Sequence, residues 1–143
     1  MNAGQTCVAP DYVLVEESFA PQLIAAIKNK LTEFYSADAA NSQDYGRIVS
    51  ERHLTRIVGY LEGQEVIHGG KHDTANKYIE PTIVLNPPHD SSLMQEEIFG
   101  PILPIVTVKN INQSIPFVNE RAKPLSLYLF SKNKNFEQQV LTS

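Results

Sequence analysis

Apolar side chains recur at helical spacing in two stretches of the N-terminal half of the chain. Residues 21–35 carry an apolar position every three or four residues and polar positions between them, which predicts an amphipathic helix. Ser18 is a possible cap for this helix, and the proline that opens the stretch suits a first turn. Residues 50–61 repeat the same spacing, and Gly63 is expected to end that second helix.

Short apolar runs rich in strand-forming side chains separate these helices and follow them. Pro81 interrupts one of the runs and predicts an edge strand or an interrupted strand there. Because the strands alternate with helices, we predict an α/β domain with a parallel-type sheet flanked by helices. The predicted strands cover residues 12–15, 65–68, 78–85, 103–108 and 125–130; a helical turn is predicted at residues 92–97, and helices at residues 112–121 and 133–141.

The overall composition restricts the functional class without naming a chemistry. A chain of 143 residues suits one domain. The net charge of −4 argues against a nucleic-acid binder, and no window approaches the ~20 apolar residues of a membrane span. The first ten residues lack the features of a secretory signal. The single cysteine excludes an internal disulfide and suits a reducing compartment, so we predict a cytoplasmic protein.

Cys7 is the first candidate for chemistry. A lone cysteine is more often an inert buried residue than a nucleophile. Here, however, residues 2–6 before it are polar and contain a glycine, so the thiol need not be enclosed in a core. A site that lowers its pKa would make the reactive thiolate available near neutral pH.

The second candidate is the segment of residues 96–101, in which two carboxylates precede an aromatic residue and Gly-Pro. Adjacent side chains on an extended segment point in opposite directions, so Glu96 and Glu97 are not expected to form an acid/base pair. By itself the segment indicates a structural turn. The four histidines lack metal-ligand spacing, and no metal site is predicted.

Taken together, the two segments resemble a known family. Residues 2–7 are similar to the cysteine signature of the aldehyde dehydrogenases, and residues 96–101 are similar to the second signature of that superfamily, in the same order. Residues 8–12 and 120–125 resemble the class 3 branch, which acts on medium-chain, fatty and aromatic aldehydes. The resemblance covers essentially the whole chain and implies the fold of the aldehyde dehydrogenase catalytic domain.

The resemblance implies a role for three residues. Cys7 would be the nucleophile that attacks the aldehyde carbonyl, with its own backbone N–H as one donor to the oxyanion. Glu97 resembles the glutamate that holds the nicotinamide ribose, and Phe99 resembles the aromatic residue that positions the nicotinamide. The implied reaction is oxidation of an aldehyde to a carboxylic acid with NAD or NADP, through a thiohemiacetal and a thioester. Intact members of the family tend to form homodimers.

The chain also departs from the family pattern. The cofactor-binding domain, the general-base glutamate and the oxyanion-hole asparagine precede the cysteine in the family and are absent from this sequence. Met1 stands where the family continues an upstream helix, so we expect a truncation or a chosen boundary. Residues 1–143 are therefore interpreted as a single, partial catalytic domain with little or no dehydrogenase activity of its own.

Two alternatives remain open at this point. The chain could be a thiol-dependent esterase that uses Cys7 without a nucleotide. It could also be a non-catalytic folding or dimerisation module, in which case exposed apolar surface and concentration-dependent association are expected.

Overall fold

A four-stranded sheet forms the centre of the molecule. The computed structural model describes residues 2–143, so the boundary expected at Met1 lies outside the described residues. The strands of this sheet are β1 (Val13–Glu16), β2 (Val66–His68), β5 (Thr82–Leu85) and β6 (Ile102–Val108), and a separate two-stranded ribbon consists of β3 (His72–Asp73) and β4 (Tyr78–Ile79). The strand order in the four-stranded sheet is β1-β6-β5-β2.

The sheet is mixed, with a parallel centre. β6 pairs in parallel with β1 on one side and with β5 on the other, so that Ile105 lies opposite Val13 and Leu85. The short strand β2 adds to the other edge of β5 in antiparallel orientation. The predicted α/β class with parallel pairing is confirmed.

Helix α1 (Ala20–Tyr35) covers one face of this sheet. Its apolar side chains Leu23, Ile24 and Ile27 pack against Ile83 and Ile105, which point to the same side. The predicted helix is confirmed, but the expected cap is wrong. Phe19 occupies the N-cap position, without a side-chain hydrogen bond, because the helix begins one residue later than a Ser18 cap requires.

Helix α2 (Glu51–Gly59) lies on the opposite face of the sheet. Successive residues of a strand point to opposite sides, so Val84, next to Ile83, joins the core cluster of Leu54 and Ile57. Ser50 caps the helix by accepting a hydrogen bond from the backbone N–H of His53. The helix ends at Gly59, two residues before the predicted end, and a turn follows it.

The strand predicted at residues 78–85 is interrupted at Pro81, as expected. Its two parts belong to different sheets, because β4 pairs with β3 and β5 pairs with β6 and β2. Of the two predicted alternatives, an edge strand or an interrupted strand, the second is the one found, since β5 lies inside the sheet between β6 and β2. A proline between the two parts is compatible with this arrangement because it removes no ladder hydrogen bond from either strand.

The C-terminal third differs most from expectation. Residues 125–130 form no strand, because no neighbouring strand pairs with them within the described part of the chain. The predicted helix at residues 112–121 is divided into a 3-10 turn (Ile111–Gln113) and α4 (Ser114–Asn119). The helical turn α3 (Ser92–Gln95) and the last helix α5 (Lys134–Leu141) lie where they were predicted.

Among residues 2–143, none of the helices combines the length and apolar character needed to cross a membrane.

Candidate active site

Cys7 lies on an exposed loop before β1. The loop is closed by reciprocal hydrogen bonds: the Asn2 amide donates to the carbonyl of Gln5, and the Gln5 amide donates to the carbonyl of Asn2. The exposure of Cys7 contradicts the interpretation of this cysteine as an inert core residue. Within residues 2–143 the backbone N–H of Cys7 makes no hydrogen bond, so it is available to an oxyanion.

Gln5 also attaches this loop to the segment that precedes α2. Its side-chain nitrogen donates to the carbonyl of Arg47 at 2.9 Å, and its side-chain oxygen accepts from the N–H of Val49 at 2.9 Å. One amide side chain therefore satisfies two backbone groups more than 40 residues away in sequence. These bonds fix the position of the loop that carries Cys7, called the cysteine loop below, against the rest of the domain.

The turn at residues 96–101 presents Glu97 and Phe99 outward and Ile98 inward. Ile98 is buried in the core, whereas Glu97 is exposed and the side chain of Phe99 is 39% exposed. Phe99 has a φ of +49°, in the left-handed region that non-glycine residues rarely adopt. Such a conformation persists only where surrounding contacts enforce it.

The cysteine loop and this turn contact each other directly. A Cβ atom added to Gly4 would lie 2.3 Å from the carbonyl oxygen of Gly100, so only glycine allows this approach. Next to this contact, a carboxylate oxygen of Asp11 accepts a hydrogen bond of 3.0 Å from the N–H of Ile98. The structure thus joins the two segments that the sequence had singled out separately.

Helix α2 holds the same turn from another side. Arg56 donates to the carbonyl of Glu97 at 3.0 Å and to the carbonyl of Ile98 at 2.8 Å. The guanidinium also lies over the ring of Tyr60 and donates to its hydroxyl, which in turn donates to the carboxylate of Glu96 at 2.9 Å. The pKa of Tyr60 is raised, first by burial and then by the hydrogen bond to Glu96.

The two carboxylates of the turn therefore differ in environment. Glu96 accepts a hydrogen bond from Tyr60, whereas the Glu97 carboxylate has no hydrogen-bond partner within residues 2–143. Cys7 and Glu97 both line an open depression of about 1490 Å³, to which residues 125–130 also contribute. Phe99 is not among the lining residues found in the described part of the chain.

Among the histidines, His89 lines the same depression as Cys7 and Glu97. Across residues 2–143 no group of three or more His, Cys, Asp or Glu side chains is arranged to hold a metal ion. His89 instead packs edge-on against the ring of Phe117, with 4.9 Å between the ring centroids.

Gln5, Asp11 and Arg56 lie beside the candidate site, and the sequence analysis did not assign them a role. Gln5 lies within the cysteine motif at residues 2–7, and Asp11 lies shortly after it. In the sequence, this position was the only indication that the two residues belong to the site. Arg56 belongs to a predicted helix, but its contacts with Glu97 and Ile98 bridge 41 and 42 residues. No local pattern indicates such contacts.

Comparison with known proteins places the chain among enzymes of one family. The sequence model described as "Aldehyde dehydrogenase family" matches residues 1–142. A relative from Canis lupus familiaris, "Aldehyde dehydrogenase, dimeric NADP-preferring", is 49% identical over 99% of this chain and 31% of its own length. "Aldehyde dehydrogenase family 3 member A2" of Rattus norvegicus is 50% identical over 99% of this chain and 29% of its own length.

Solved structures agree with the sequence comparison. AldH of Staphylococcus aureus, in a substrate-bound state, is similar with a TM-score of 0.94 and 48% identity, over 98% of this chain and 31% of that one. An aldehyde dehydrogenase of Mycobacterium tuberculosis in complex with NAD+ is similar with a TM-score of 0.82 and 26% identity, over 99% of this chain and 31% of that one. The chain thus spans less than a third of the length of these relatives.

Proposed function

Because the chain belongs to the aldehyde dehydrogenase family, we propose that it carries the cysteine-containing part of an active site that oxidises an aldehyde to a carboxylic acid with NAD+ or NADP+. The observation that supports this proposal best is the direct contact between the two loops. The Gly4–Gly100 approach and the Asp11–Ile98 hydrogen bond connect the loop of Cys7 with the turn of Glu97 and Phe99. Residues 1–143 would then be part of a catalytic domain.

In the proposed reaction, Cys7 is the nucleophile. Its thiolate sulfur adds to the aldehyde carbon, and the π electrons of the C=O bond move to the oxygen, which gives a thiohemiacetal oxyanion. The N–H of Cys7, which has no hydrogen-bond partner within residues 2–143, is a donor for that oxyanion, and donors of this kind are worth ~2.7–4 kcal/mol in the transition state. After the carbon is oxidised to a thioester, water adds, the C–S bond breaks, and the carboxylic acid and the thiol are released.

The side chains on the turn fit the nicotinamide end of a dinucleotide. Glu97 offers a carboxylate with no partner within residues 2–143, which can accept hydrogen bonds from two ribose hydroxyls. Phe99 offers a partly exposed ring, carried by a backbone with a φ of +49°. When bound, NAD+ or NADP+ supplies the hydride acceptor for the thiohemiacetal carbon. The name of one relative includes "NADP-preferring", and one structural neighbour holds NAD+, so both cofactors are included in the proposal.

A chimaera tests this function most directly. In it, the 143 residues replace the corresponding third of S. aureus AldH, with which they share 48% identity. We expect NADH or NADPH formation with a medium-chain or aromatic aldehyde, and its loss in the Cys7→Ala variant of the same chimaera. A correctly folded chimaera that is inactive, or a Cys7→Ala chimaera that remains active, contradicts the assignment of Cys7.

Glu97 is tested in the same chimaera. Since a hydrogen bond to a charged group contributes about 1.5–3 kcal/mol, Glu97→Gln is expected to raise the KM for the dinucleotide about tenfold or more. Alkylation of Cys7 should proceed at an unchanged rate. An unchanged KM would contradict the role proposed for Glu97.

The isolated chain is expected to show little or no dehydrogenase activity. Holding cofactor and substrate together can contribute ~7–11 kcal/mol to lowering a barrier, and within residues 2–143 the proposed contacts with the cofactor are limited to the Glu97–Phe99 turn. The measurement is NADH formation by the purified chain, with Cys7→Ala as the control. Cys7-dependent turnover would show that another group serves as the base and that another surface binds the dinucleotide.

The two alternatives each have one supporting observation. The exposed Cys7 is compatible with a thiol-dependent esterase, which would hydrolyse a p-nitrophenyl ester without nucleotide and would be inactive as Cys7→Ala. The exposed apolar side chains at residues 125–130 are compatible with a non-catalytic module that associates with rising concentration. The homodimer and the cytoplasmic location expected from the sequence stay predictions.

A further inference from the structure

We propose that Arg56 and Asp11 are positioning residues, which hold the backbone of Glu97, Ile98 and Phe99 from opposite sides and thereby orient the two exposed side chains. The inference rests on the proposed function only for what Glu97 and Phe99 bind. We call Arg56, Asp11 and this backbone the turn clamp.

The hydrogen bonds of the turn clamp are complementary. Asp11 accepts from the N–H of Ile98, and Arg56 donates to the carbonyls of Glu97 and Ile98. Three consecutive polar groups of the main chain are therefore bound by one carboxylate and one guanidinium. Hydrogen bonds made by carboxylates and guanidinium groups are stronger than those between neutral groups.

The clamp also accounts for the conformation of Phe99. A non-glycine residue with a φ of +49° relaxes unless neighbouring contacts determine its backbone. The peptide group that precedes Phe99 carries the Ile98 carbonyl bound by Arg56, and the Ile98 side chain is almost fully buried. Without Arg56, the Phe99 backbone would be free to leave the left-handed region and to turn its ring away.

The two residues of the clamp come from different elements. Asp11 follows the cysteine loop, and Arg56 lies on α2, which is itself fixed by the buried side chains of Leu54 and Ile57. The guanidinium of Arg56 packs over the ring of Tyr60. The turn clamp therefore connects the position of Glu97 and Phe99 both to the cysteine loop and to the core.

Amide exchange measures the clamp in the native sequence. In Arg56→Met and Asp11→Ala, we expect the Ile98 amide to exchange about tenfold faster or more, because the bonds that hold the turn closed are lost. Arg56→Lys keeps the charge but not the planar fork, so its exchange rate should be intermediate. Asp11→Asn keeps an acceptor oxygen and should remain close to the native rate.

A fluorescent reporter measures the mobility of the turn. Because the chain has no tryptophan, Phe99→Trp introduces a single probe at the turn. Adding Arg56→Met to this background should lower the fluorescence anisotropy of the indole, and Arg56→Lys should restore part of it. Far-UV circular dichroism should be unchanged in both variants.

Arg47 provides a matched control. Like Arg56, it donates to backbone carbonyls and lies over a tyrosine ring, in this case Tyr78, but it does not contact the turn. Arg47→Met should therefore leave both readouts unchanged. The proposal is overturned if Arg56→Met leaves the Ile98 amide and the anisotropy unchanged, or if Arg47→Met changes them equally. Neither readout involves cofactor or aldehyde. The Glu97→Gln chimaera can therefore contradict the proposed role of Glu97 without contradicting the turn clamp, and the two readouts can contradict the turn clamp without contradicting the role of Glu97.

Discussion

At the scale of single residues, the contact between the cysteine loop and the turn at residues 96–101 requires a residue without a side chain, Gly4. Gly4 has a φ of +73° and faces the carbonyl of Gly100 at a distance that no Cβ could tolerate. Gly100 in turn faces Ile57, whose side chain would lie 2.7 Å from an added Cβ. Two glycines thus allow the cysteine loop, the turn and α2 to pack against one another.

Gly4→Ala is expected to lower the free energy of unfolding by about 1–3 kcal/mol, because it combines an unfavourable φ with a backbone clash. Gly59→Ala is the matched control. Nothing lies within 4 Å of a Cβ added there, and alanine favours the helix, so stability should rise by up to about 1 kcal/mol. Urea unfolding measures both, and equal midpoints for the two variants would contradict the close approach at Gly4.

At the scale of elements, α2 serves both the core and the candidate site. Leu54 and Ile57 bury one side of the helix, and Arg56 reaches the turn from the same element. The helix begins at a side-chain cap, since the Ser50 hydroxyl accepts from the N–H of His53. Loss of this cap would weaken the element that supports Glu97 and Phe99.

Ser50→Ala should therefore lower the free energy of unfolding by about 1 kcal/mol, the usual contribution of an N-cap. Thr55→Ala, at an exposed position in the same helix, should change it by no more than about 0.5 kcal/mol. Chemical denaturation followed by circular dichroism distinguishes the two. If Thr55→Ala costs as much as Ser50→Ala, the cap is not the cause.

The last third of the chain offers a second comparison between elements. Phe130, in the segment of residues 125–130, is 93% exposed, whereas Phe136, on α5, is 6% exposed. Phe130→Ala should change the stability by less than about 0.5 kcal/mol. Phe136→Ala should lower it by about 3 kcal/mol, as expected for a buried aromatic residue. Similar losses in thermal unfolding for the two variants would show that residues 125–130 pack against the rest of the chain in solution.

At the scale of the whole molecule, a cluster of tyrosines connects α1 with the segment before α2 and with β4. Tyr45 lies edge-on to both Tyr35 and Tyr78, with ring centroids 5.0 and 5.9 Å away, and its hydroxyl donates to the carbonyl of Ile79 at 2.8 Å. Burial is the main cause that raises the pKa of all three phenols above the ordinary value of 10.0. The folded state therefore favours their neutral form.

This cluster makes the stability sensitive to alkaline pH. The unfolded chain releases the three phenolic protons near pH 10, and the folded chain releases them at higher pH, so the stabilisation is complete below about pH 10 and is lost as the pH rises further. The urea midpoint should fall between pH 9.5 and 11.5, about where unfolded tyrosines titrate. Tyr45→Phe should be less stable at pH 8 but lose less with rising pH. If the urea midpoint falls equally steeply with pH in the native chain and in Tyr45→Phe, the assignment to Tyr45 is contradicted.

The sequence alone determined the elements whose apolar pattern is local. The spacing in residues 21–35 and 50–61 predicts α1 and α2 because a helix buries one side through positions three and four residues apart. The class of the fold followed from the alternation of such helices with strands. The sequence also contained Cys7, Glu97 and Phe99 in two recognisable segments, since motifs of this kind are contiguous in the chain.

Only the tertiary structure decided which of these segments meet. The bond from Ile98 to Asp11 spans 87 residues, and the contacts of Arg56 span about half as many, so neither leaves a periodic pattern in the sequence. The same reason explains the wrong strand at residues 125–130. Side-chain preference can favour an extended backbone, but a strand exists only where a second one offers its hydrogen bonds, and that depends on packing between distant parts of the chain.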